Sequence, residues 1–225
     1  PGGIEVGRAL YTEPYDGRQL DDYFTKLAPQ LPELCVFGIM PQLGEELVHF
    51  LGAKHSLRSA SYVAKLAIRR SYDQLVYGRS TRLTNGEALV GRLVRSALDR
   101  SIPLWTSAPV RELTILDGVV TGAVLDTPTG KVTVKARRGV VLACGGFSYD
   151  DSYRKAFFPQ GLGRGEYHPT TAPGSAGHGL RLAESAGAAI DHDMSNAAAW
   201  TPVSLLPKAN GEFGTVLHLW GRGVP

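Results

Sequence analysis

Two glycine clusters are the places in this 225-residue sequence where residue type and spacing could do chemistry. Gly139 to Phe147 reads GVVLACGGF, an apolar run ending in a small residue and two glycines. Glycines at a strand exit remove side chains and let a flat or phosphorylated ligand approach backbone atoms closely. The same pair also suits a tight strand exit with no ligand. Pro173 to Gly179 reads PGSAGHG, immediately ahead of LRLAESAGA. Free N–H groups at that helix start, at the positive end of its dipole, suit an anion such as a pyrophosphate. A flexible helix-capping loop accounts for these residues without one. Neither cluster is a GxGxxG fingerprint, a P-loop or a GxSxG elbow.

The remaining chemistry-bearing residues form no pattern. His49, His55, His168, His178, His192 and His218 make no HExxH or HxH spacing and read first as surface or core histidines rather than catalytic bases. Asp150, Asp151, Asp191 and Asp193 flank loops, where capping and turn chemistry are the usual roles. The tyrosines, Tyr11, Tyr15, Tyr23, Tyr149, Tyr153 and Tyr167 among them, read as packing residues with wet hydroxyls. Cys35 and Cys144 are far apart and lack metal-ligand spacing, which argues against a zinc site or disulfide scaffold and for a reducing, cytoplasmic compartment. Spacing alone names no catalytic residue and no metal.

The elements that must position these residues fall into three stretches. Residues 1–41 are punctuated by Pro14, Pro29, Pro32, Pro41, Gly17 and Gly38 and read as loop-rich, with one amphipathic run from Leu20 to Leu27. Residues 45–100 are helical: Leu47, Phe50 and Leu51 recur at helical spacing, then Tyr62, Leu66 and Arg69 to Tyr72. A third helix begins after Asn85-Gly86 with Leu89, Val90, Leu93, Val94 and Ala97 on one face. Residues 101–195 turn to strand periodicity. Pro103 to Thr106 reads as a short strand, and Val110 to Leu116, Val119 to Asp126 and Lys131 to Ala136 as an antiparallel meander with turns at Asp117-Gly118 and Thr129-Gly130. Arg138 to Ala143 reads as a strand buried on both faces of a parallel sheet, Gly179 to Gly187 as a short helix and Ala188 to Ile190 as a short strand. From Met194 onward no period is visible. In such an α/β arrangement ligands collect at the carboxyl ends of the strands, here Ala143 to Phe147.

Composition sets the outer bounds. Glycine, at 27 of 225 residues, exceeds the usual share of roughly 7% and belongs in tight turns or beside a ligand. A net charge of +3 is too slight for the concentrated basic footprint of a nucleic-acid binder. No apolar stretch approaches the roughly 20 residues of a membrane span, and the start carries no export-signal pattern. Loop-like residues at both ends, Pro1-Gly2-Gly3 and Gly221 to Pro225, lead us to expect a portion of something longer.

GVVLACGGFSYD, followed by the glycine loop and GLRLAESAGAAI, resembles the flavoprotein family that includes fumarate reductase, succinate dehydrogenase flavoprotein and 3-ketosteroid dehydrogenases. That family has a buried strand ending in LA-T-GG-F, a TGDG turn opening a helix, and a small-residue GA ending. NGEALVGRLVRSALDRSIPLWTSAPVREL resembles its helix, strand and meander start. PGGIEVGRALYTEPYDGRQL is similar to the 3-ketosteroid dehydrogenase branch. The match extends from Pro1 to about Met194 and is most specific from Asn85 to Ile190.

The resemblance implies an α/β fold. Residues 1–195 would be part of a glutathione-reductase-like FAD-binding domain, with a parallel sheet plus a three-stranded antiparallel meander, and residues 196–225 the start of a substrate-capping domain. It implies FAD as cofactor. Val110 would meet the adenine through its backbone, Ala143, Cys144, Gly145 and Gly146 would lie near the adenosine half, and the turn Ala176, Gly177, His178 and Gly179 near the flavin end. His178 stands where the family usually has Asp, which removes an anionic acceptor. The GxGxxG fingerprint and the acidic ribose-binding residue should precede Pro1, so this chain alone is expected to bind FAD weakly if at all. The family's catalytic residues are likewise expected before Pro1 or after Pro225.

The implied activity is that of a flavin-dependent dehydrogenase acting on a small molecule, across a carbon–carbon bond beside a carbonyl. A steroid-like ketone stands ahead of a fumarate or succinate type of substrate. A reading from a different class is a truncated, non-catalytic chain that folds without FAD and covers its exposed sheet edges as a homo-oligomer. A colourless nucleotide-binding module is a third.

Overall fold

The structure is a computed structural model that describes residues 12–158, 167–191, 193–194, 197–208, 211 and 213–218. Tyr11 and His192 lie outside the described residues, as do the Pro1-Gly2-Gly3 and Gly221 to Pro225 ends. The chain divides near residues 104 and 105 into two compact units.

The first unit is built on a short ladder. Strand β1 (Tyr15–Asp16) pairs antiparallel with β2 (Arg82–Leu83). Between them run a 3-10 helical stretch (Gly17–Lys26), α1 (Glu45–Gly52) and α2 (Leu57–Tyr77), and α3 (Asn85–Leu98) follows. The Leu20 to Leu27 run is thus amphipathic as expected, but wound as 3-10 helix. It buries Leu20 and Phe24 with Tyr15, Leu83 and Ala88 in one small core, against which Tyr23, Leu27 and Val94 pack. Gly91 lets α3 approach this ladder closely, since a Cβ there would sit 3.1 Å from both Leu83 and Tyr15.

Polar groups complete the unit. The α1 carboxylate Glu46 is buried and bonded to Arg82 Nη2 at 2.5 Å, to the Tyr62 hydroxyl at 3.0 Å and to the Gln42 amide at 3.1 Å. Buried Asp73 of α2 accepts from both the amide and the hydroxyl of Thr81, at 2.8 and 2.7 Å. Gly78, left-handed at φ +71°, ends α2 with its amide on the Gln74 carbonyl. On α3, Ala88 and Gly91 are buried, whereas Leu89, Val90 and Leu93 stay about half exposed or more. The small residues let the helix approach the ladder, and of the bulky apolar stripe Val94 packs against the core.

The second unit carries the meander at nearly the expected boundaries: β3 (Val110–Leu116), β4 (Val119–Thr127) and β5 (Gly130–Lys135), all antiparallel. Asp117 and Gly118 both take positive φ, 51° and 76°, the requirement of a tight turn matched to strand twist. Gly122 is obligatory in β4, because a Cβ there would lie 2.1 Å from the Val134 carbonyl oxygen. Three further elements are α4 (Asp151–Phe157), α5 (His178–Ser185) and a hairpin of β6 (Val203–Pro207) with β7 (Phe213–Leu217).

Residues 138–143 depart from expectation. The run belongs to no sheet, and Val141 is 90% exposed. An apolar run becomes a buried strand only where neighbours pair its amides and carbonyls, and every ladder among the described residues is antiparallel and made elsewhere. Pro103 to Thr106 and Ala188 to Ile190 are likewise outside any strand.

Candidate functional site

The two glycine clusters, separate in sequence, meet in the second unit. The Gly177 amide donates to the Gly146 carbonyl at 3.0 Å, and the Tyr149 amide donates to the Ser175 carbonyl at 2.9 Å. Several positions there exclude a side chain. Gly145 has φ +85°, and a Cβ on it would lie 3.1 Å from Ser175 Oγ. A Cβ on Gly179 would lie 2.9 Å from Cys144 Sγ, and one on Gly177, at φ +73°, would lie 2.7 Å from the Tyr153 ring. By contrast, positions 146 and 174 look onto open space. Ala143, Cys144, Gly145, Gly146 and His178 are exposed and Gly177 is buried. The result is a ledge of small residues and bare backbone beside the start of α5. No side chain caps that helix start.

Val110 is half-buried at the head of β3, paired with Leu125, and β3 contacts α5 within the same unit. The sequence-predicted residues 143–146 and 177–179 are therefore brought together, and Val110 begins the strand that packs on their helix.

A second set of residues, assigned no part in the site by sequence reasoning, holds the ledge in place. Asp150 caps α4, accepting from the amides of Ser152 and Tyr153 at 2.9 Å each, and receives Arg181 Nη1 at 2.5 Å. These amide bonds, the Tyr153 one foremost, and the Arg181 guanidinium hold its carboxyl below the usual range. Arg181 also donates to the Ala176 carbonyl, which ties α5 to its own entry loop. The Tyr153 hydroxyl donates to Glu184 at 2.5 Å; desolvation first, then the Glu184 contact, push the phenol up to about 12. That phenol is committed to structure and is a poor acid at neutral pH. The signal for Asp150 was present, as an aspartate two and three residues ahead of amides that open a helix.

Chemically, the ledge presents small residues and backbone suited to binding. Exposed amides and the helix start suit phosphate or ribose oxygens, and the lack of side chains at 145 and 146 suits a flat ring. These features fit one edge of a dinucleotide. Among the described residues, no group of three His, Cys, Asp or Glu side chains could hold a metal ion. Both cysteines are free thiols. No helix among the described residues is long and apolar enough to cross a membrane.

Comparison with known proteins defines the class. Residues 8–224 match the family described as FAD binding domain, and the chain belongs to that family of FAD-binding proteins. Among its relatives, the 4-oxocyclohex-2-ene-1-carboxylate 5-dehydrogenase of Sinomonas cyclohexanicum is 37% identical over 229 residues, covering 100% of this chain and 38% of the relative. The 3-oxosteroid 1-dehydrogenase of Mycobacterium tuberculosis is 28% identical over 214 residues, covering 90% of this chain and 35% of the relative. The crystal structure of 3-ketosteroid delta1-dehydrogenase from Sterolibacterium denitrificans, in complex with 1,4-androstadiene-3,17-dione, superposes with a TM-score of 0.71 at 24% identity. It covers 91% of this chain and 37% of that one. A mixed fold of helices and antiparallel strands, part of an FAD-binding domain, is thereby established; the expected parallel sheet is not formed among the described residues. The chain spans 35 to 38% of the length of these curated relatives.

Proposed function

We propose that this chain is a portion of a flavin-dependent dehydrogenase that removes hydrogen across a carbon–carbon bond beside the carbonyl of a ring ketone. The observation that carries the reading is the Gly177 to Gly146 hydrogen bond, which joins the two glycine clusters into one ledge in a chain of the FAD-binding family. The two dehydrogenases it resembles are named for oxo-substituted ring substrates, so a cyclic ketone, steroid-like or smaller, is the substrate class. A fumarate-type dicarboxylate is less well supported.

In this reading Val110, Ala143, Cys144, Gly145, Gly146, Gly177, His178 and Gly179 bind FAD. Val110 and the 143–146 ledge take the adenosine side, and 177–179 the flavin side. The bound flavin supplies hydride acceptance; the residues of this chain contribute backbone contacts, placement and the field of the α5 start. Residues 1–195 would belong to the FAD-binding domain and 196–225 to the start of a capping domain. An exposed free thiol at Cys144 suits a reducing, cytoplasmic compartment.

A second reading is a non-catalytic chain that self-associates. It is supported by Val141, 90% exposed within an unpaired apolar run, a surface that favours association with another copy. The test is a visible absorption spectrum of the purified chain after incubation with excess FAD and gel filtration. A co-eluting flavin spectrum supports the cofactor reading and, given the weak binding expected of this chain alone, means that a partner chain completes the phosphate anchor. A colourless peak at the elution volume of an oligomer supports the second.

A further inference from the structure

The first unit turns an uncovered apolar face outward along α2. Leu57, Ala64, Ile68 and Leu75 recur seven, four and seven residues apart, a spacing that puts them on one side of the helix. All four are exposed, Leu57 by 91%, Ile68 by 72% and Leu75 by 88%. The opposite side, with Ser59 and Asp73, is buried. At a helical rise of 1.5 Å per residue the stripe is about 27 Å long.

An aromatic tip joins its C-terminal end. Val36 and Ile39 exchange amide-to-carbonyl hydrogen bonds at 2.8 and 3.0 Å, closing a two-residue turn in which Phe37 and Gly38 both take positive φ, 51° and 72°. Such a turn calls for Asn or Gly at its first position, and a bulky residue held left-handed there is strained. Phe37 has no packing to offset that strain, since it is 87% exposed. Arg70 of α2 fixes the turn, donating from Nε to the Gly38 carbonyl at 3.0 Å. Phe37 and Leu75 line the same hollow of about 430 Å³, so the tip and the end of the stripe share one surface. Val48 and Leu51 on α1 are mostly exposed as well.

Charge decides what this surface meets. From Leu47 to Tyr77 the sequence carries five cations, Lys54, Arg58, Lys65, Arg69 and Arg70, against one carboxylate, Asp73, which is buried on Thr81. Lys54, Arg58 and Lys65 are exposed and in no ion pair among the described residues. Glu45 is exposed at the start of α1, the end away from Lys54, and Glu33 beside the tip is half-buried. A second copy of this chain would set like charges against each other along the stripe and offers no exposed carboxylate of α2 to pair them. An anionic lipid surface answers both features. Acyl chains take the apolar stripe and the aromatic tip, while long Lys and Arg side chains reach the headgroup phosphates.

We propose that the outer face of α2 and the Phe37 turn form a docking surface for an anionic membrane, on which the protein lies peripherally without spanning it. The surface belongs to the first unit and uses no residue of the FAD ledge, so it stands or falls apart from the dehydrogenase reading.

The test is flotation of the full chain with unilamellar vesicles of phosphatidylglycerol and phosphatidylcholine in equal parts, against vesicles of phosphatidylcholine alone. We expect roughly tenfold or stronger preference for the anionic vesicles, weakened severalfold as NaCl is raised from about 0.05 to 0.5 M. F37N removes the ring and keeps the turn, because asparagine tolerates the left-handed region. It should weaken partition by roughly tenfold, the low end of the range for burying one large apolar side chain, with an unchanged circular dichroism spectrum. R58Q combined with K65Q should weaken it about fivefold per cation replaced. Absence of flotation with anionic vesicles overturns the proposal, as does equal partition onto both vesicle types or flotation that neither variant weakens. A vesicle-free dimer that I68S and L75S dissociate, with no flotation, assigns the stripe to a second copy and overturns it too.

Discussion

The Cβ position of Gly179 lies 2.9 Å from Cys144 Sγ, so the first turn of α5 and the end of the 138–143 run share a space that holds one side chain and not two. Alanine at 179 must push the thiol aside. We expect G179A to lose about 1–2 kcal/mol in urea unfolding, the range for modest overpacking. Because Cys144 is the atom in the way, C144A should recover more than half of that loss. A double-mutant cycle showing no coupling between the two positions would contradict the contact.

Gly122 and Gly86 make a sharper contrast. A side chain at 122 would meet the Val134 carbonyl oxygen at 2.1 Å, whereas one at 86 meets nothing within 4 Å and needs no unusual φ. Backbone cannot rotate away as a thiol can. G122A should therefore cost at least about 3 kcal/mol or abolish folding of the meander. G86A, on the first turn of α3, should instead stabilise by about 0.5–1 kcal/mol through lower unfolded-state entropy. Melting curves of the two variants against the wild type decide it; similar shifts in both would refute the assignment.

What could be read from the sequence divides along a physical line. The meander was legible almost to the residue, because its alternation is local and Asp117-Gly118 allows one tight turn. The helix starting at Asn85 and the one at His178 were legible from their periodicity. The run 138–143 was not, since an apolar stretch specifies a strand only if partners exist to pair with it. The β6 and β7 hairpin was missed although Asn210-Gly211, a strong turn dipeptide, lies between its strands. At the site, the glycines were visible as residue types, and their meeting was implied only through resemblance. Asp150, Tyr153 and Arg181 act through contacts some 30 residues apart, which no spacing rule reports.

In the first unit the buried pair of Glu46 and Arg82 ties α1 to β2 at 2.5 Å, with side chains only 7% and 12% exposed. Removing the cation alone strands a carboxylate that also accepts from Tyr62 and the Gln42 amide. R82M should cost about 3–5 kcal/mol, as for breaking one partner of a buried pair. Adding E46Q in the same chain should return part of that loss by removing the orphaned charge. If R82M unfolds at the wild-type denaturant midpoint, the pair contributes nothing and the packing of α1 rests elsewhere.

The Asp150 carboxyl predicts a pH dependence. Its folded-state pKa is depressed, so its contribution is complete above the unfolded value near 3.9 and is lost as pH falls through that value toward the folded one. Asparagine caps helices about as well as aspartate, so D150N removes the charge and keeps the cap. Arg181 is 47% exposed on its side of the pair, which solvent weakens. We expect wild type to exceed D150N by less than about 1 kcal/mol at neutral pH. That margin should shrink progressively as pH falls below the unfolded value of about 3.9, as measured by urea midpoints across pH. A margin that grows on acidification would mean that the carboxylate is not the group being protonated.

His178 opens α5 with its side chain exposed, and no side chain caps the helix start. The resemblance places an aspartate there. A carboxylate at the first turn gains from the helix dipole by roughly 0.3–1 kcal/mol and offers two acceptor oxygens where a neutral imidazole offers one acceptor nitrogen. H178D should therefore raise the melting temperature slightly without flavin. It should also tighten FAD several-fold if 177–179 meets the cofactor, read as quenching of flavin fluorescence during titration. The two effects separate the roles. Stabilisation without tighter FAD binding would leave His178 at a helix start and remove it from the cofactor site, whereas tighter binding would place the α5 turn against the flavin.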